Sequence, residues 1–78
     1  MPSVTLDVRL LLAGGIDPWE AIIDALRDVG PGDRFTLING FEPLPLMTVL
    51  GNSGFSATAT EIGPDEWHTH FLKNPSPS

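Results

Sequence analysis

Apolar and polar positions along the chain follow two periods. Val4, Leu6 and Val8 alternate with Thr5, Asp7 and Arg9, which predicts a strand over residues 4–9 with one buried face. Residues 10–15 run from leucines into Gly14-Gly15 and read as a loop. The period then lengthens. Trp19, Ile22, Ile23, Leu26 and Val29 recur at helical spacing and make one apolar stripe. The start of that helix is marked by Asp17 as N-cap, Pro18 at the first helical position and Glu20 completing a capping-box-like pair. Gly30 is expected as its left-handed cap, and Pro31 stops it.

Beyond a Gly32-Asp33 turn, RFTLIN (34–39) predicts a second strand with Phe35 and Leu37 on one face. The segment INGFEPLPLM (38–47) follows and leads into a short helix to about Ser53, ending at Gly54, with Leu46, Met47 and Leu50 on its apolar side. Phe55, Ala57 and Ala59 then alternate with Ser56, Thr58 and Thr60. Gly63-Pro64-Asp65-Glu66 predicts a hairpin turn, and residues 67–72 the last strand.

The expected order is βαβαββ, an α+β arrangement. Each helical crossover is long enough to return the chain for parallel, right-handed pairing, and the last two strands form an antiparallel hairpin. Both helices would cover one face of a mixed four-stranded sheet. The other face would carry Thr5, Asp7, Arg9, Thr36, Thr58, Thr60, His68 and His70, with Ile38 as its apolar exception. The 78 residues suffice for one domain, taken as residues 1–73. The tail NPSPS (74–78) is expected to be disordered.

Charge and composition narrow the function. Four basic and ten acidic residues leave a net charge of −6, with the acids scattered over the chain. That field repels phosphate backbones, so nucleic acid is excluded as a partner. With no Cys there are no disulfides, thiolate metal sites or thiol nucleophiles. Neither a membrane span nor a leader peptide is expected, and the cytoplasm is the default location.

Three groups of residues are candidates for chemistry. His68 and His70, at i and i+2 on a strand, share a face and could ligate one metal, with Asp7 or Glu61 as a third ligand. The simpler reading is two exposed histidines on the open sheet face. Arg9, with Gly14 and Gly15 ahead of the Asp17 helix start, could contact an anion, although Asp17 competes for the same N–H groups. Arg9 and Asp7 are also placed to pair with each other. Trp19 reads as core because it sits in the helical stripe, and Trp67 and Phe71 as core of the last strand. No serine stands in a nucleophile-elbow context.

The strand LDVR (6–9), the Asp17-Pro18 helix start, the Pro31-Gly32-Asp33 turn and the run from Asn39 through Phe41-Glu42-Pro43-Leu44-Pro45-Leu46 together resemble the TusA/SirA-like family. The resemblance is to its uncharacterised branch, domain-of-unknown-function family 2249, over residues 4–73. It implies a two-layer α/β sandwich with the final strand inserted in the sheet, order 1-2-4-3. Sulfur carriers of that family place a Cys-Pro-x-Pro motif at the first helix. Aligned on Pro18, the Cys position falls on Gly15 and the first Pro on Ile16, so the persulfide-bearing thiol is absent and sulfur transfer is not implied.

The expectation is therefore a non-catalytic domain that docks a partner protein and needs no cofactor; the alternative is a small-ligand or metal-binding module. The docking candidates are Gly40, Phe41, Glu42, Pro43 and Pro45. Pro43 and Pro45 lack N–H groups and Glu42 adds negative charge, so this strand-to-helix corner is a poor phosphate cradle. Residues before proline avoid helical angles, so either Pro43 or Pro45 can be the first helical residue.

Overall fold

The computed structural model describes residues 3–74. Along the chain run β1 (Ser3–Asp7), α1 (Arg9–Ala13), α2 (Trp19–Leu26), β2 (Arg34–Asn39), α3 (Leu44–Gly51), β3 (Phe55–Gly63) and β4 (Glu66–Lys73). The sheet order is β1-β2-β4-β3. β1 is parallel to β2, and β4 runs antiparallel to both β2 and β3. The expected α+β sandwich with order 1-2-4-3 is thus the fold.

Register explains which residues are buried. One row across the sheet is Val4, Phe35, Phe71 and Ala57, and the next inward row is Leu6, Leu37, Thr69 and Ala59. These rows meet Ile22 of α2, Val29 beyond it and Leu50 of α3, with Val8 closing the end of β1. Phe35 and Phe71 are fully buried, their rings stacked with centroids 5.9 Å apart. The alternate rows, Thr5-Thr36-His70-Thr58 and Asp7-Ile38-His68-Thr60, lie on the opposite face, as the alternation predicts. Thr36 departs from the expected open position: it is only 7% exposed, and its hydroxyl lies 2.9 Å from His70 Nδ1.

Several element boundaries differ from the sequence reading. The first strand stops at Asp7, and residues read as strand end and loop form α1. Five residues are too few to show helical periodicity in sequence. α2 ends at Leu26, so Val29 packs from a turn. The left-handed residue of the following turn is Gly32 (φ +83°), not Gly30. Asp33 N–H reaches the Gly30 carbonyl at 2.9 Å across Pro31-Gly32, a type II turn, and the Asp33 carboxylate accepts the Gly30 N–H at 2.9 Å. Neither proline begins α3. Leu44 does, with Pro43 as N-cap.

All three helices begin by the same device. The N–H of the first helical residue bonds to the residue two positions earlier: Arg9 to the Asp7 carboxylate (3.0 Å), Trp19 to the Asp17 carboxylate (2.9 Å), and Leu44 to the Glu42 carbonyl (2.9 Å). The first two are Asx turns. The third is an inverse γ-turn about Pro43, whose φ of −85° and ψ of 64° match that conformation. The N-cap of α2 is thus Pro18, expected as the first helical residue, while Asp17, expected as the cap, accepts the Trp19 N–H from one position further out; Glu20 makes no cap bond among the described residues.

The tail expected from Asn74 onward is partly described. Asn74 N–H bonds to the Gly54 carbonyl at 2.9 Å, continuing the β3–β4 ladder, and residues 75–78 lie outside the described residues. Among the described residues no helix is long and apolar enough to cross a membrane.

Candidate functional site

The parallel strands β1 and β2 end on the same side of the sheet, and α2 and α3 both begin there. Between these two helix starts lies an apolar cleft of about 170 Å³. Pro18 and Ile22 of the α2 start form one wall, and Pro43, Pro45 and Leu46 of the α3 start the other. Leu12 and Phe41 stand at its mouth, where Phe41 is 55% exposed.

Asn39 also lines this cleft. It occupies the inward position that follows Phe35 and Leu37 along β2 and is 2% exposed. Its Oδ1 is buried and has no hydrogen-bond partner. Buried polar atoms are paired in the great majority of cases, because an orphaned one keeps its full desolvation cost. Thr69 Oγ1 is a second buried atom without a partner, but it does not line the cleft.

A neighbouring, more open hollow of about 240 Å³ shares Pro18, Ile22, Pro45 and Leu46 with the cleft and is also lined by Trp19. Trp19 departs from the core position expected of it. As the first residue of α2 it stays 43% exposed, while Ile22 takes the buried place. Of the other two aromatics read as core, Phe71 is fully buried and Trp67 half-buried. On the other side of Leu12 and Phe41, a broad open depression is lined by Arg9, Leu10, Gly40 and Asp65 among others.

The docking candidates converge on this end. Phe41, Pro43 and Pro45 line the cleft, Gly40 and Phe41 line the depression, and Glu42 is exposed between them. The Arg9, Gly14, Gly15 and Asp17 group does not form one site. Arg9 is held by Asp7 at 2.7 Å and lies 3.5 Å from Glu66. The guanidinium hydrogen bond, reinforced by the Arg9 backbone N–H, lowers the Asp7 carboxyl below its ordinary pKa and raises that of Arg9. Gly14-Gly15 ends α1. Ile16 N–H bonds to Leu11 O and Gly15 N–H to Leu12 O, with Gly15 at φ +74°, a Schellman cap. Those donors are spent within the turn.

His68 and His70 share the open sheet face, each with its own partner. His68 Nε2 lies 2.7 Å from Glu66 Oε2, and His70 Nδ1 meets Thr36. Among the described residues no three His, Cys, Asp or Glu side chains gather as a metal-binding group.

The chain matches the family described as uncharacterized conserved protein (DUF2249) over residues 5–73, from the first strand to the last. It belongs to the DUF2249 family. No curated protein matches the chain, and no solved structure does. Every residue lining the cleft lies inside the matched span. This DUF2249 chain has no Cys, so it is not a Cys-based sulfur carrier.

In sequence Asn39 stands only as part of the Asn39-to-Leu46 motif, and its place in the site is not among the expectations. A signal was present: Asn39 is the polar residue at an inward position of the Phe35-Leu37-Asn39 alternation. Leu12, Pro18 and Ile22 carried no comparable mark, because their meeting with the α3 start is a tertiary event.

Proposed function

We propose that this domain is a non-catalytic docking module of the cytoplasm. Its cleft takes one apolar side chain from a partner protein, whose entry parts the cleft wall so that the buried Asn39 Oδ1 accepts an N–H from the partner's backbone. The carrying observation is the apolar cleft between the two helix starts with Phe41 exposed at its mouth, in whose wall Asn39 Oδ1 lies buried without a partner. Size supports a single side chain: about 170 Å³ is below the roughly 300 Å³ at which small-molecule sites begin. The exposed Phe41 at the mouth supplies the aromatic contact that docking surfaces favour. A relation to TusA/SirA-like proteins belongs to the same reading and is supported by the 1-2-4-3 sheet and the Pro18 helix start.

A second reading takes the cleft together with the hollow that shares four of its residues as the site of a small apolar ligand bearing an N–H group. An NMR titration separates the two. Peptides with an apolar anchor, selected against the domain, should shift the Asn39 side-chain amide and the Leu12, Phe41 and Leu46 signals. Phe41→Ala should abolish those shifts while leaving the spectrum folded. Shifts confined to the His68/His70 face would sink the docking reading. Saturable shifts with small apolar amides, and none with peptides, would favour the second.

A further inference from the structure

The sheet has two edges, β1 and β3. Which backbone groups of β3 are free follows from the ladder. Gly54 and Asn74 form a directly bonded pair in the register that places Phe55 opposite Lys73. In an antiparallel ladder, bonded and non-bonded pairs alternate. Ser56, Thr58 and Thr60 therefore bond to β4, and Phe55, Ala57, Ala59 and Glu61 turn their N–H and C=O groups outward. The β2–β4 ladder agrees, since Lys73 bonds to Asp33 on the other side.

These four outward residues are symmetric about Thr58. Edge strands are ordinarily protected by charge, proline or a bulge. Between Phe55 and Thr60 there is neither a charged residue nor a proline, and the irregularity in β3 lies between Glu61 and Gly63. β1 is the weaker edge. It has five residues and ends at Asp7, which is charged and tied to Arg9.

We infer that β3 is a homodimer seam, in which two copies pair their β3 strands antiparallel about a two-fold axis through Thr58. In that register Ala57 faces Ala59 of the second copy and Phe55 faces Glu61, so every outward N–H and C=O of these residues gains a partner. Centring on Ala57 leaves Glu61 unpaired, and centring on Ala59 leaves Phe55 unpaired. Thr58 meets Thr58 across a non-bonded pair, where side chains come closest and threonines pair well. Ser56 faces Thr60, and no like charges oppose each other along the seam. The bulge at Ile62 ends the pairing. Each copy carries −6, so salt strengthens the association by screening the overall repulsion.

Sedimentation across a concentration series, from micromolar to millimolar, tests the seam. The expected result is a dimer that strengthens with salt. Thr58→Lys reduces the net negative charge yet sets two ammonium groups against each other at the axis, so it should be monomeric, as should Thr58→Glu. Mixing the two should restore a dimer. In the wild type, the Phe55, Ala57, Ala59 and Glu61 amides should gain protection from hydrogen exchange as concentration rises. A monomer at millimolar concentration overturns the seam. So does a dimer in which those four amides exchange freely.

Discussion

Asn39 stands directly opposite Trp67 across the β2–β4 ladder, on the helix-covered face of the sheet. The pairing places a primary amide where Phe35 and Leu37 place hydrocarbon. Its buried Oδ1 lacks a partner, which costs on the order of 1–3 kcal/mol. Asn39→Leu should therefore raise the urea midpoint while abolishing peptide binding. Asn39→Asp should lower it, because it buries a charge. A gain in stability coupled to a loss of binding is the mark of a retained functional group.

Phe71 is fully buried against Phe35 at the centre of the sheet. Phe71→Ala should cost about 3–5 kcal/mol. Small domains have about 5 kcal/mol or little more to lose, so the variant should be largely unfolded at 37 °C by circular dichroism. Leu10 is apolar but 86% exposed, and Leu10→Ala should change stability by no more than about 0.5 kcal/mol.

Two glycines should respond in opposite directions. Gly32 holds φ +83° in the type II turn, so Gly32→Ala should destabilise by about 1 kcal/mol. Gly51 is the last residue of α3, and a Cβ there meets nothing within 4 Å. Gly51→Ala should stabilise by about 0.5–1 kcal/mol. Thermal melts of the two variants against the wild type check both.

The Asp7–Arg9 pair makes stability depend on acid. Arg9 depresses the Asp7 pKa in the folded state, so the unfolded chain takes up the proton first as pH falls. The contribution is complete above the ordinary aspartate value of about 3.9 and is lost as pH drops through the lower folded value. It is small, because both side chains are partly exposed. Wild type should be more stable than Asp7→Asn at pH 6, and the gap should narrow as pH falls below the ordinary aspartate value.

The β alternations and the Asp17-Pro18 start were legible because each is a local pattern written within a few residues. Even the open polar face was legible, since strand side chains alternate by geometry. α1 was not, because RLLLA is too short for a helical period and its start depends on a carboxylate bond from Asp7. In sequence, Gly14-Gly15 also fits an anion loop. It proved to be a helix cap, because a Gly-Gly pair serves either purpose and only its bonding partners tell them apart.

For INGFEPLPLM, sequence alone determined that the corner is rigid and short of donors, since proline lacks an N–H wherever it stands. Tertiary structure decided that Leu44 is the first helical residue, through the γ-turn bond to Glu42. It also decided that Phe41, Pro43 and Pro45 wall a cleft with Asn39 inside it. The cleft's other wall is built by Pro18 and Ile22, residues distant in the chain, and no local pattern records which distant surfaces will meet.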